Sequence, residues 1–297
     1  MTNMENLWEK SLSQLQANFT PLTDKPEETP ERTLISLWQT TCGPPCSVIT
    51  ANKRNCANLS QEQTEKLHDL IAQRISGVPL AHITGMQHFF GIDLQASPSA
   101  LIPRKETEIL AEATLNIIQN RNTTEVTHLD VCTGGGNIPI ALALKCRNLT
   151  SYAADISSQA IELCKKNIDL YSLQDRVHPK VGDLLTPFDS DQFHKKVDVL
   201  TCNPPYISTS KVSEMHSEIS QHEPELAFDG GPFGIQILRK LLREAPKFLK
   251  PGGWLAFEVG LGQGETIIQR LKTKHNYSLI SPIYDSNGYI RTITAQL

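Results

Sequence analysis

Four consecutive residues, Asn203-Pro204-Pro205-Tyr206, have the types and spacing best suited to chemistry. They directly follow an apolar run at 197–202, which predicts a buried strand. Both prolines fix φ and lack an N–H, so we expect a stiff turn that offers only acceptors, the Asn203 side-chain oxygen and the Pro204 carbonyl. Two fixed acceptors can hold a planar NH₂ group, and Tyr206 can pack flat beside it. The pattern predicts alkylation of a planar nitrogen, for which positioning alone can lower the barrier by about 7–11 kcal/mol. A proline turn with a surface aromatic is the non-catalytic alternative.

A glycine turn forms the second candidate site. Residues 130–139 read Asp-Val-Cys-Thr-Gly-Gly-Gly-Asn-Ile-Pro, which is typical of a strand, a turn and the start of a helix. A dinucleotide-binding turn needs G-x-G-x-x-G, and Pro139 occupies the third glycine position, so that fingerprint fails. A tight turn without a ligand is the alternative.

Two aspartates follow the next two predicted strands. Asp155 is placed to accept hydrogen bonds from ribose hydroxyls, and Asp183 could accept one from an adenine amino group. A helix cap for Asp155 and an ordinary turn for Asp183 are the alternatives. Their joint spacing favours an adenosyl-type cofactor.

The elements that must position these residues begin near residue 125. Strand and helix patterns alternate there, which predicts an open, largely parallel α/β sheet. The predicted strands are 126–133, 151–156, 177–181, 197–202 and 254–259, and the predicted helices are 138–146, one capped by Ser157, and 232–249. Such sheets bind ligands beyond the carboxyl ends of their strands, where Asp130, Asp155, Asp183 and Asn203 all fall.

The first 77 residues have helical periodicity instead. Pro30 marks a helix start, and Ser60 with Gln63 forms a capping-box pattern. We expect an exposed connection from Thr20 to Pro30 and a hairpin of two extended runs, 82–91 and 92–102. The sequence therefore predicts a helical domain at 1–77, a hairpin linker at 78–105 and an α/β domain at 106–297.

Composition limits the function further. The 297 residues carry a net charge of −4, spread evenly along the chain, and no basic run indicates nucleic-acid binding. No apolar stretch is long enough to span a membrane, and residues 1–10 lack a signal-peptide pattern. Seven cysteines, an odd number, favour reduced thiols in a cytoplasmic protein, and the spacing around Cys42 and Cys46 fits no zinc pattern.

Beyond these patterns, residues 77–297 resemble the HemK/PrmC family of protein-(glutamine-N5) methyltransferases. The resemblance rests on these segments: Gly77-Val78-Pro79-Leu80-Ala81-His82-Ile83-Thr84-Gly85, Phe89-Phe90-Gly91, Leu101-Ile102-Pro103-Arg104-Lys105-Glu106-Thr107-Glu108, Asp130 to Gly136, Asn203-Pro204-Pro205-Tyr206-Ile207, Glu223-Pro224-Glu225-Leu226-Ala227-Phe228-Asp229-Gly230-Gly231, Glu258-Val259-Gly260, Gln263-Gly264 and Gly288-Tyr289-Ile290-Arg291.

The resemblance implies a class I S-adenosylmethionine-dependent methyltransferase (Rossmann-like) domain with a small N-terminal helical domain that helps hold a class I peptide-chain release factor. The implied acceptor is the glutamine of a Gly-Gly-Gln tripeptide, and the implied product of the donor is S-adenosylhomocysteine. The implied cofactor-binding residues are Asp130, Thr133, Gly134, Gly135, Gly136, Asn137, Asp155, Asp183, Leu184 and Asn203. Asn203 and the Pro204 carbonyl would hold the glutamine amide, with Pro205 and Tyr206 completing the catalytic turn. We expect a monomer without a metal, and neither a membrane nor a nucleic acid as partner.

One alternative is an N6-adenine methyltransferase of DNA or RNA, which shares the Asn-Pro-Pro-Tyr turn and would stack Tyr206 on a flipped base. The near-neutral charge and the missing basic run argue against it.

Three departures from the family pattern leave a second alternative open. Cys132 stands where glycine is usual, Lys105 where proline is usual, and Asn137 and Pro139 where small residues are common. The departures at Cys132 and Pro139 favour a binding protein that keeps the fold without the reaction.

Overall fold

A computed structural model describes residues 3–18, 22, 24–121, 123–274 and 277–297. The helices are α1 Asn3–Asn18, α2 Pro30–Cys42, α3 Val48–Ala51, α4 Gln61–Ile75, α5 Leu80–Thr84, α6 Thr107–Gln119, α7 Asn137–Lys145, α8 Ser158–Leu170, α9 Thr209–Val212, α10 Ser217–Ser220, α11 Gln236–Phe248 and α12 Gly264–Lys274. The strands are β1 Met86–Phe89, β2 Ile92–Gln95, β3 Val126–Val131, β4 Leu149–Asp155, β5 Val177–Val181, β6 Val197–Cys202, β7 Leu249–Glu258, β8 Leu279–Tyr284 and β9 Ile290–Gln296. Short 3₁₀ turns occupy Thr186–Phe188 and Glu225–Ala227.

The chain forms two compact units, which are not simple halves of the sequence. The first contains residues 1–98, 102–105 and 216–223, and the second contains 99–101, 106–215 and 224–297. The boundaries at residues 77 and 105 stay a prediction, and the grouping of 216–223 with the N-terminal residues was not foreseen.

The first unit is built on helices α1 to α5. The Ser60 hydroxyl accepts from Gln63 N at 3.2 Å and the Gln63 side chain accepts from Ser60 N at 2.9 Å, which confirms the capping box of α4. Helix α2 begins at Pro30, also as predicted, and its Trp38 is fully buried. The hairpin pairs β1 with β2 in antiparallel register, but residues 80–84, partly assigned to an extended run, form α5.

A cluster of buried charges lies in the first unit. Lys25 Nζ contacts Glu218 at 2.9 Å, while Arg74 contacts Glu218 at 2.8 Å and Glu28 at 3.1 Å. Burial would raise the pKa of Glu218, but Lys25 and Arg74 outweigh burial and lower it. The connection 20–30 is therefore not the exposed segment that its composition indicated, because Lys25 and Glu28 are buried. Thr20, Pro21 and Thr23 lie outside the described residues.

The second unit contains a sheet in the order β5-β4-β3-β6-β7-β9-β8. Strands β3 to β7 are parallel and β9 runs antiparallel to both β7 and β8, so the predicted open, largely parallel α/β sheet is confirmed. The central strand β6 is buried at every position, as expected for a parallel strand covered on both faces. The antiparallel pair β8 and β9 was not predicted.

The core of this unit packs apolar residues of the central strands against helices α11 and α12. It includes Leu129, Leu200, Leu241, Leu242 and Leu271, all fully buried. Helix α11 begins at Gln236 rather than at residue 232, because Gly231 and Gly234 adopt positive φ just before it. In the part of the chain that the structure describes, no helix is long and apolar enough to cross a membrane.

Candidate active site

The Asn203–Tyr206 turn leaves the sheet at the carboxyl end of β6. Beyond it the backbone is tied to a neighbouring segment, since Ile207 N donates to Phe228 O at 2.9 Å and Gly230 N donates to Ile207 O at 2.8 Å. Asn203 and Tyr206 are half-buried, whereas Pro204 is buried. The turn is thus fixed at both ends.

A chain of hydrogen bonds orients the Asn203 amide. Its Nδ2 donates to Thr107 Oγ1 at 3.0 Å, and Thr107 Oγ1 donates to Glu258 Oε2 at 2.7 Å. Thr107 and Glu258 are each 1% exposed. With the nitrogen committed to Thr107, the Asn203 oxygen must point the other way, toward any ligand at the rim.

Glu258 holds Tyr206 as well. The Tyr206 hydroxyl donates to Glu258 Oε1 at 3.0 Å, and Arg291 Nη2 lies 3.6 Å from the same oxygen. Burial raises the pKa of Glu258, against the hydrogen bonds of Thr107 and Tyr206 and the charge of Arg291. One carboxylate at the end of β7 therefore positions both side chains of the turn.

Gln263 fixes the backbone of the turn. Its Nε2 donates to Tyr206 O at 2.9 Å and Gly234 O at 3.3 Å, and its Oε1 accepts from Gly260 N at 3.0 Å. Gly234 has a φ of +67°, and a Cβ there would collide with the Tyr206 carbonyl oxygen. Only glycine fits at 234 without moving Tyr206.

The acceptors predicted to face the substrate are available. Among the described residues, none donates a hydrogen bond to Asn203 Oδ1 or to the Pro204 carbonyl. Beside Tyr206 lies a cavity of about 570 Å³ whose lining includes Phe233, 82% exposed, and Leu261, 63% exposed. Exposed apolar side chains beside Tyr206 suit a partner that buries apolar surface there.

The glycine turn between β3 and α7 has positive φ at Cys132, Gly134 and Gly136. Thr133 N donates to Ala154 O at 3.0 Å, and a Cβ at Gly136 would lie 2.5 Å from the Cys164 sulfur. Cys132, with φ of +57°, therefore adopts a strained conformation that glycine would take freely. Of the other departures, Lys105 is exposed, whereas Asn137 and Pro139 lie in the first turn of α7.

Asp155 binds the glycine turn directly. Its Oδ2 accepts from Gly134 N and its Oδ1 from Ser157 N, both at 2.9 Å. Burial raises the pKa of Asp155, and these backbone bonds oppose the rise. Because each carboxylate oxygen can accept a second bond, Asp155 keeps the capacity to bind a hydroxyl.

Asp130 is a buried acid at the carboxyl end of β3. It is 1% exposed, and burial raises its pKa to about 7. Thr201 donates a hydrogen bond to Asp130 Oδ1, and the hydroxyls of Thr133 and Thr201 both oppose the rise in the Asp130 pKa. Its Oδ2 has no partner among the described residues.

A buried relay across three strands supports Asp130. His128 Nε2 lies 2.8 Å from Thr201 Oγ1, and His128 Nδ1 lies 3.0 Å from Ser151 Oγ. Since Thr201 gives its only proton to Asp130, His128 Nε2 must donate, and Ser151 donates to Nδ1. Burial lowers the pKa of His128 to about 3, so this ring is neutral.

Asp183 is less closely connected to the turn. The neighbouring Gly182 N donates to Asp155 O at 2.9 Å, which places the ends of β4 and β5 side by side. The Asp183 carboxylate, however, pairs with Lys240 Nζ at 2.5 Å. Leu184 is buried with a φ of +49°. The adenine-side roles of Asp183 and Leu184 stay predictions.

Thr107, Glu258, Gln263 and Arg291 were not singled out for a role from the sequence. All four lie in segments that carry the family resemblance, which was the signal available. The described residues contain no group of three or more His, Cys, Asp or Glu side chains that could hold a metal ion.

Comparison with known proteins identifies the family. A release factor glutamine methyltransferase of Bacillus cereus is 31% identical over 258 residues, covering 85% of this chain and 90% of that protein. One of Thermosynechococcus vestitus is 37% identical over 222 residues, 74% of each chain. The chain belongs to the release factor glutamine methyltransferase family. Its members are methyltransferases, so the reading as a binding protein without a reaction is not supported.

Other comparisons agree with this family at the level of fold. A family model described as RNA cap guanine-N2 methyltransferase matches residues 125–227. The hMettl16 catalytic domain, solved with a MAT2A 3′UTR hairpin, has a TM-score of 0.54 at 12% identity, covering 82% of this chain and 84% of that one. A human methyltransferase 10 domain containing protein has a TM-score of 0.51 at 14% identity, covering 80% of this chain and 98% of that one. The second unit thus has the class I S-adenosylmethionine-dependent methyltransferase fold that the sequence predicted.

Proposed function

We propose that this protein transfers a methyl group from S-adenosylmethionine to the side-chain nitrogen of the glutamine in the Gly-Gly-Gln motif of class I peptide-chain release factors. The observation that carries the proposal is the network in which Glu258 and Thr107 orient Asn203 and Tyr206. Family membership supports the substrate, because the relatives are named for release factor glutamine. The cytoplasm, where translation ends, is the proposed location.

The residues around the glycine turn fit S-adenosylmethionine. The donor carries an ammonium and a sulfonium, and Asp130 offers a buried carboxyl oxygen without a partner. A Cβ at Gly134 would have only the Ala100 Cβ near it, at 3.9 Å, so space remains beside that residue, and Asp155 has acceptor capacity for ribose hydroxyls. When bound, S-adenosylmethionine supplies an electrophilic methyl carbon.

The amide geometry accounts for the choice of nucleophile. Asn203 Oδ1 and the Pro204 carbonyl would accept the two N–H groups of the glutamine carboxamide and so orient its nitrogen. Transfer of the donor's methyl group would form an N–C bond as the C–S bond breaks, and would leave a positive charge on that nitrogen. The same two oxygens stabilise that charge, and the acidified N–H then loses its proton to water. Tyr206, anchored by Glu258, packs beside the planar amide.

The test is incubation with labelled donor and a Gly-Gly-Gln release-factor domain, followed by peptide mass mapping. We expect one methyl group on that glutamine with the wild-type protein and at least about a hundredfold less with Asn203→Ala. The control is Asn287→Ala, since Asn287 is exposed in the turn before β9. Label on another residue, or wild-type activity in Asn203→Ala, would refute the proposal.

An N6-adenine activity is not favoured by the relatives. The likeness to the hairpin-bound hMettl16 domain, at 12% identity, concerns the fold alone. Failure of an oligonucleotide to accept the labelled methyl group, under conditions in which the release factor is modified, separates the two reactions.

A further inference from the structure

A positively charged cavity lies in the second unit, apart from the Asn203 turn. It has a volume of about 670 Å³ and is lined by Asp183, Gln236, Ile237, Arg239, Lys240, Arg243 and Arg270. Four cations therefore face a single carboxylate. We call these lining residues the basic cavity.

The charges of the basic cavity are only partly neutralised. Lys240 pairs with Asp183, and Arg243 lies 3.3 Å from Glu244. Within the described ranges, neither Arg239 nor Arg270 has a carboxylate within 4.0 Å. The cavity thus keeps positive charge that the protein itself does not balance.

The arrangement on α11 is unfavourable without an anion. Arg239 and Arg243 stand four residues apart, where like charges destabilise a helix by a few tenths of a kcal/mol. Gln236, Arg239 and Lys240 also occupy the N-terminal turns of this 13-residue helix, whose dipole disfavours cations and favours anions. A bound anion would offset both effects.

Arg270 contributes the one cation of the cavity that comes from α12. The donor set, three guanidinium groups and one ammonium, is that of a carboxylate or phosphate site.

Protein carboxylates suit this cavity better than a nucleic-acid strand. The cations are confined to one cavity, whereas a strand is held along a track of cations that follows its phosphates.

We propose that the basic cavity binds an acidic segment of the protein substrate, away from the glutamine that is methylated. This inference rests on the proposed function, because it takes the release factor as that substrate. Such a contact lets the enzyme distinguish an intact release factor from an isolated Gly-Gly-Gln peptide.

The test compares Arg239→Glu with Arg270→Gln and a double variant, all as full chains. We expect KM for an intact class I release factor to rise about tenfold in the double variant, with kcat and KM for S-adenosylmethionine unchanged within about twofold. Arg239→Lys, which keeps the charge, should retain most of the wild-type affinity. Added salt should raise the wild-type KM more steeply than that of the double variant.

Lys272→Glu is the matched control, because Lys272 is exposed on α12 and does not line the cavity. Two kinetic results for the double variant would overturn the proposal: an unchanged KM for the release factor, or a raised KM for S-adenosylmethionine instead. A third would be an oligonucleotide that competes with the release factor for the wild-type protein but not for the double variant. Failure of the proposed function would be distinguishable from these results, because the wild-type protein itself would then leave the glutamine unmethylated.

Discussion

The hydroxyl of Thr107 connects Asn203 to Glu258, and its removal is a direct test of the positioning network. In Thr107→Val, the Asn203 Nδ2 loses its acceptor and Glu258 loses a donor. A hydrogen bond to a charged group is worth about 1.5–3 kcal/mol, and each 1.4 kcal/mol is a factor of about ten. If this energy holds Asn203 in its active orientation, kcat falls about 10- to 100-fold, while the affinity for S-adenosylmethionine is unchanged. Single-turnover methylation of the release-factor domain, with calorimetric titration of the donor, measures both quantities.

Thr114→Val is the matched control. Thr114 lies on the same helix and is fully buried, but its hydroxyl donates at 2.7 Å to Leu110 O of that helix. Both variants remove one buried hydroxyl, but only Thr107→Val takes a partner from Asn203 and Glu258, and only that variant should slow the methyl transfer. Equal rates in the two variants would show that the network does not position Asn203.

Three further predictions concern the turns of the site. Gly234→Ala should lower kcat strongly, because its Cβ would collide with the Tyr206 carbonyl oxygen. Gly262→Ala has a similar φ of +79° but open space around its Cβ, so steady-state kinetics should show it nearly as active as the wild-type protein. Cys132→Gly should raise the free energy of unfolding by about 0.5–1 kcal/mol, because glycine relieves a left-handed conformation that costs about 1–2 kcal/mol, at the expense of some chain entropy. Denaturant titration at equilibrium measures this change, and a loss of stability would show that the backbone at Cys132 is not strained. Asp130, with a pKa raised to about 7 by burial, must be ionised to attract the cationic donor, so affinity for S-adenosylmethionine should increase up to about pH 7 and then level off. Calorimetric titration across this range should show the slope in the wild-type protein and a flat profile in Asp130→Asn.

The same carboxyl also links pH to folding. Its pKa in the folded state is raised, so between the usual value near 4 and about 7 the folded state retains a proton that the unfolded state has lost. The contribution of Asp130 to stability is thus present at low pH and is lost as pH rises through this window.

The fold was predictable because its signals are local. Strand β6 is mostly apolar and is buried at every position, and the caps of α4 and α8 are formed by nearby residues, Ser60 and Ser157. The antiparallel strands at the sheet edge escaped prediction because β8 is half-exposed and contains Pro282, which weakens the alternating pattern.

The site was predictable only in part, for a similar reason. The Asn203 turn could be interpreted from its own residue types. The partners that orient it could not, because Thr107 lies 96 positions from Asn203 and 151 from Glu258 along the chain. Contacts between residues so far apart in sequence depend on the order of strands in the sheet, because that order places the end of β7 beside the end of β6.

The buried charges around Glu218 have a consequence for protein engineering. Lys25 and Arg74 come from the beginning of the chain, and the carboxylate they share is more than a hundred residues away in sequence. A chimera that exchanges only the N-terminal helices with those of a relative would leave Glu218 among foreign neighbours. Residues 216–223 should travel with the helices as a second graft, and recombination points are better placed on either side of that short insert than at a single crossover.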